Sequence, residues 1–246
     1  MPLDTSHWGT KRSRKLQDKT SRTTSEQVTA TTQALETGAG LRLTGTADGL
    51  AVVCVNGGRR RDVRGTWSAT LEWLVGRLAP AFPGLGFAEV RYRIKSWNRL
   101  GMCVEDTLAA LEAVAPRRAL LLGFSMGGAV AIGAAPHPAV RTVLGLAPWI
   151  PDRLDLSGLE GRRLAVVQGA WDRSLPGVPG VSPSSSRRGF ERARADGVEG
   201  SYELIARAVH PVAVRAPWGA ALPLPRAGRW AELVADELER FQASEG

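Results

Sequence analysis

Ser125 lies in Gly123-Phe124-Ser125-Met126-Gly127, directly after the apolar run Leu120-Leu121-Leu122 and directly before the small-residue stretch Ala129–Ala135. That order reads as a strand, a very tight turn and a helix. A serine at the tip of such a turn has its hydroxyl pushed into a cleft, and glycines are needed on either side because a side chain there would strike the neighbouring strand or helix. A serine hydroxyl is a poor nucleophile near neutral pH and needs a base. The chain has three histidines. His7 falls in a polar N-terminal stretch and His137 stands between Pro136 and Pro138 just past the serine's helix. His210 follows a predicted strand and is the favoured base. An imidazole acting as base must be held in one tautomer by an acceptor, usually a carboxylate. Asp172, in Gln168-Gly169-Ala170-Trp171-Asp172, is the favoured one, with Asp152 and Asp155 after the preceding strand as its rivals.

Those side chains need a scaffold that brings distant loops together. From about residue 41 the pattern alternates strand and helix. Strands are expected at Leu50–Val55, Phe87–Ile94, Leu120–Leu122, Val140–Ala147, Leu164–Val167 and Tyr202–Ala208. Helices are expected around Trp67–Leu78, Val104–Leu111, Ala129–Ala135, Arg187–Ala195 and Trp230–Phe241, where apolar residues recur at helical spacing. Such alternation predicts an α/β fold: a doubly wound, mostly parallel sheet of about six to seven strands with helices on both faces. Ligands in such sheets gather at the carboxyl edge of the strands, where Ser125, Asp172 and His210 all fall. Only about 15 residues separate the strand near Ala147 from the one near Leu164, too few for a sizeable inserted lid.

Composition narrows the function. A chain of 246 residues with 43% hydrophobic content suits one domain, expected over residues 41–243. Residues 1–36, rich in Ser and Thr with the basic cluster Lys11–Lys15, are expected to form a disordered tail. No stretch approaches a membrane span or a secretory signal. The net charge of +8 does not point to nucleic acid, because past residue 40 the basic residues are arginines scattered among acids, with Lys95 the one lysine. Cys54 and Cys103 are too few and too unpatterned for a disulfide framework or a zinc site, which suits a cytoplasmic protein with reduced thiols.

The order Ser125…Asp172…His210 is that of an α/β-hydrolase. With the turn Asn56-Gly57-Gly58 after the first buried strand, residues 41–243 resemble the α/β-hydrolase superfamily, specifically the small lidless serine esterases grouped near the dienelactone hydrolases. The resemblance implies a serine hydrolase acting on small carboxylic esters or related acyl compounds, with an acyltransferase, a small peptidase or a non-catalytic ligand-binding homologue as alternatives. It implies an oxyanion hole from the backbone N–H groups of Gly58 and Met126. Asn56 stands where histidine is commoner in the family, which matters little because the donors are backbone groups. Dienelactone hydrolases proper use a cysteine nucleophile, so their substrate does not carry over. Asn56, Trp97, Trp149 and Trp171 are the candidate substrate-pocket residues, and Arg59-Arg60-Arg61 beside the turn raises the reading of an anionic substrate. No metal, organic cofactor, nucleic-acid or membrane partner is implied, and a monomer or homodimer is expected.

Overall fold

The computed structural model describes residues 30–47, 49–174 and 180–244. The expected tail therefore lies outside the described residues up to position 29. The strands are β1 (Ala30–Ala34), β2 (Gly40–Thr44), β3 (Leu50–Val55), β4 (Val63–Arg64), β5 (Leu85–Arg91), β6 (Ile94–Lys95), β7 (Arg118–Phe124), β8 (Val140–Leu146), β9 (Arg163–Gly169), β10 (Glu199–Ile205), β11 (Ala213–Arg215) and β12 (Ala221–Pro223). The helices are α1 (Ala69–Leu78), α2 (Leu100–Val114), α3 (Gly127–Ala134), α4 (Pro183–Ala195) and α5 (Ala227–Ala243). Among the described residues eight strands form the main sheet in the order β1-β2-β5-β3-β7-β8-β9-β10, against the six to seven expected. β1 and β2 run antiparallel to their neighbours; from β5 to β10 every pairing is parallel.

β1 is the strand that composition hides. It lies inside the stretch expected to be a tail, and all five of its residues are exposed. Backbone pairing with β2, from Ala30 opposite Thr44 to Ala34 opposite Gly40, holds it in place rather than side-chain burial. β5 also buries a charged residue. Glu89 is buried, with both carboxylate oxygens taken by the Arg42 guanidinium directly opposite on β2, at 2.6 and 2.7 Å. Burial nevertheless holds the Glu89 carboxyl above its ordinary range, with Arg42 opposing the shift.

The central strands are apolar on both faces because helices cover both. On β3, Val53 and Val55 join one core while Val52 and Cys54 join the other; on β7, Leu121 faces the first and Leu120 and Leu122 the second. The first core is closed by Cys103, Ala110 and Leu111 of α2, Val130 to Ile132 of α3, and Phe190 and Ala193 of α4. The second is closed by Leu71, Leu74 and Leu78 of α1 and by Trp230, Val234, Leu238 and Phe241 of α5, the stripes read from periodicity. Ser68 caps α1 by accepting from Leu71 N–H, and Ser182 caps α4 by accepting from Ser185 N–H. The stretch between β8 and β9, residues 147–162, contains one short 3-10 turn at Ser157–Leu159 and no inserted domain. Among the described residues no helix is long and apolar enough to cross a membrane.

Candidate active site

Parallel pairing puts the carboxyl ends of β7, β8, β9 and β10 on one edge, and the loops leaving that edge carry Ser125, Asp172 and His210. Ser125 follows β7 at φ 57°, a left-handed backbone that a side-chain-bearing residue adopts only when its surroundings enforce it. Three hydrogen bonds do so: Ser125 N–H donates to Leu146 O (2.9 Å), and Ser125 O accepts from Gly128 N–H (2.9 Å) and Trp149 N–H (2.8 Å). The bracketing glycines are there for space. A Cβ on Gly123 would come within 2.3 Å of Gly127 O, and one on Gly127 within 2.2 Å of Val55 O. The turn is thus wedged between α3 and the central strand β3.

His210 arrives from the far side of the sheet. β10 ends at Ile205, three residues earlier than the apolar pattern suggests, because Arg207 turns left-handed at φ 60°. The chain then folds over Gly169, whose absent Cβ would lie 2.6 Å from Ala208 O; Trp171 N–H donates to Ala208 O (2.9 Å) and ties the two loops together. His210 Nε2 lies 2.9 Å from Ser125 Oγ, and His210 Nδ1 lies 2.7 Å from Asp172 Oδ2. With Nδ1–H donating to the carboxylate, Nε2 is left as the acceptor for the serine hydroxyl. The Phe124 ring backs the imidazole at 5.1 Å between centroids.

Asp172 is buried, and its oxygens are fully engaged. Oδ2 accepts from His210 Nδ1 and from Gln168 Nε2 (2.9 Å), while Oδ1 accepts from Val181 N–H (3.0 Å). The rival carboxylates stay at the surface: Asp152 is exposed, and Asp155 is bound to the N–H and hydroxyl of Ser157 at 2.9 Å each. His137 pairs with Glu112 at 3.1 Å, outside this row. Gln168 is the residue that sequence reasoning passed over. It is fully buried, and its amide also donates to Val181 O at 3.0 Å, so it holds both ends of the loop carrying Asp172. A polar residue at the end of an otherwise apolar strand was the available signal.

The Asn56-Gly57-Gly58 turn sits over the serine. A Cβ on Gly57 would touch Ser125 Cβ at 3.4 Å; one on Gly58 would overlap Met126 Sδ and lie 3.0 Å from Trp97 Cδ1. Asn56 is buried and points its amide into the turn, not into a pocket. Nδ2 donates to Thr66 O and Oδ1 accepts from Gly57 N–H, both at 2.7 Å, and Tyr92 Oη–H donates to Asn56 O at 2.9 Å. Gly57 N–H is therefore used internally. Among the described residues the N–H groups of Gly58 and Met126 have no hydrogen-bond acceptor, so both remain for an oxygen atom at the serine. Met126 also opens α3, whose dipole favours negative charge there.

The tryptophans divide. Trp97 and Trp149 stand together, ring centroids 6.3 Å apart, beside Gly58 and Ser125. Trp171 precedes Asp172 and is 58% exposed. Both thiols are buried; burial lifts Cys54 well above the ordinary cysteine range and Cys103 to about 11. Neither belongs to the Ser125 row. Among the described residues no group of three or more His, Cys, Asp or Glu side chains could hold a metal ion.

No family model matches the sequence, and no curated protein matches it either. Solved structures do resemble it. A sugar hydrolase from Lactococcus lactis matches with a TM-score of 0.63 at 17% identity, covering 87% of this chain and 99% of that one. A dienelactone hydrolase from Anabaena variabilis matches at 0.57 and 16%, covering 85% and 95%. The 2-hydroxy-6-oxo-6-phenylhexa-2,4-dienoate hydrolase from Rhodococcus sp. strain RHA1 matches at 0.61 and 14%, covering 87% and 99%. Identities this low speak to architecture, and the architecture is the α/β-hydrolase fold.

Proposed function

We propose that this chain, built on the α/β-hydrolase fold, is a serine hydrolase that cleaves small carboxylic esters or related acyl compounds through an acyl-enzyme. The observation that carries the reading is the unbroken row from Ser125 Oγ through His210 to Asp172, with hydrogen-bond distances of 2.9 and 2.7 Å. Ser125 Oγ attacks the substrate carbonyl as His210 Nε2 takes its proton. Asp172 stabilises the imidazolium, and Gln168 and Val181 N–H keep the carboxylate aimed. The carbonyl oxygen, now an oxyanion, receives the N–H groups of Gly58 and Met126, each such donor contributing about 2.7–4 kcal/mol to barrier lowering. His210 returns the proton to the departing alcohol. Water, deprotonated by the same nitrogen, then attacks the acyl-enzyme and regenerates the serine. Trp97 and Trp149 form the apolar wall beside the acyl group.

The test is labelling with a fluorophosphonate, mapped by peptide mass spectrometry. A single adduct on Ser125 is expected in the wild type, absent in Ser125→Ala, with the rate down by about 10⁴-fold in Asp172→Asn. An unlabelled Ser125 in folded protein refutes the reading.

A further inference from the structure

The loop that leaves the Asn56-Gly57-Gly58 turn carries cations that the proposed chemistry does not use. Arg59, Arg60 and Arg61 are exposed, and none of their side chains forms a hydrogen bond or ion pair with a described residue. Their backbone is nonetheless held in place. Arg59 O accepts from Trp97 N–H at 2.9 Å, and Arg60 O accepts from Asn98 Nδ2 at 3.2 Å. These bonds keep the loop against the Trp97–Trp149 wall.

Lys95 enters from the facing ribbon, where it pairs in register with Val63. Its ammonium donates to Thr66 Oγ1 at 2.6 Å, on the residue whose carbonyl anchors Asn56. The one acid of the loop, Asp62, is committed to Arg99 at 2.9 Å. Trp97, two residues past Lys95, donates its N–H to Arg59 O, so Lys95 and Arg59 stand on adjoining segments, and neither has a carboxylate partner among the described residues. Burial, and then Arg59 itself, hold the Lys95 ammonium below the ordinary lysine range, as expected of a cation pair without an anion.

We infer that the substrate of the Ser125 site carries a second, anionic group, a carboxylate or phosphate on its acyl chain, which binds between Arg59 and Lys95. The inference rests on the hydrolase reading and narrows it. An anion there removes the repulsion between the two cations and fixes the acyl chain along the tryptophan wall, with its carbonyl left at Ser125. The same two donors serve carboxylate and phosphate oxygens alike.

The test compares kcat/KM for 4-nitrophenyl valerate with the values for the 4-nitrophenyl monoesters of glutarate and of 4-phosphonobutyrate. The wild type is expected to favour one of the anionic esters, and the identity of that ester separates carboxylate from phosphate. The anionic-to-neutral ratio should fall about tenfold in the Arg59→Gln, Lys95→Gln double variant, the scale of two partly screened ion pairs, and should fall in the wild type as salt is raised. Lys95→Arg should restore most of the preference to the Lys95→Gln protein. A ratio equal in wild type and double variant overturns the inference. Valerate hydrolysis that survives Ser125→Ala overturns the catalytic reading instead, so the two failures are told apart.

Discussion

Gln168→Glu probes the interior of the site through a charge whose cost can be worked out from one distance. The amide nitrogen lies 2.9 Å from Asp172 Oδ2, and Gln168 is wholly buried. Two ionised carboxylates at that spacing repel by about 6 kcal/mol at an effective dielectric of about 20. That corresponds to about four pKa units, so the pair holds one shared proton far into the neutral range. While protonated, the introduced carboxyl donates to Asp172 Oδ2 as the amide does, and the bond to Val181 O and the longer one to Gly169 O (3.4 Å) are lost, at about 1–2 kcal/mol. The sign follows from linkage. An acid whose proton affinity is raised by folding leaves stability intact below its unfolded value, about pH 4.3, and loses it as pH rises toward the folded value. The gap to wild type should therefore widen by about 1.4 kcal/mol per pH unit, or about 4 kcal/mol between pH 5 and pH 8. Urea denaturation of wild type, Gln168→Glu and Gln168→Leu across that range measures it, and the Gln168→Leu gap should stay flat. A Gln168→Glu gap that does not change with pH would refute the direct contact between the two side chains.

Two further outcomes follow from packing. Gly127→Ala places a methyl 2.2 Å from Val55 O on the central strand, whereas Gly76→Ala in α1 meets nothing within 4 Å. The first should lose about 1–3 kcal/mol or more together with fluorophosphonate labelling of Ser125, and the second should gain up to about 1 kcal/mol with labelling intact, both read by thermal melts. The thiols give the other outcome. With Cys54 raised well above its ordinary range and Cys103 to about 11, iodoacetamide at pH 8 should leave both unmodified in native protein and alkylate both in guanidinium, as intact mass would show. Alkylation of native protein at either position would contradict its burial.

Local chemistry made much of this molecule legible. Leu120–Leu122 must be a buried strand, Ser125 must sit on a tight turn between glycines, and Trp230, Val234, Leu238 and Phe241 must face a core, because burial and backbone geometry act over a few residues. What stayed hidden depends on pairing. β1 presents no buried side chain and is held by backbone pairing with β2, so its polar composition reads as tail. Glu89 looks like a solvent-facing residue until the β2–β5 register sets Arg42 opposite it. The choice of Asp172 over Asp152 as the imidazole's partner, the inward turn of the Asn56 amide and the part played by Gln168 belong to the same class. Each is decided where the β9 loop and the β10 turn close over Gly169 and where the Asn56 turn meets Ser125. Residue types and their order determine which groups could react. Which of them meet is set by strand register and loop closure, since a hydrogen bond of 2.7 Å between residues 38 apart exists only once the strands beneath them have paired.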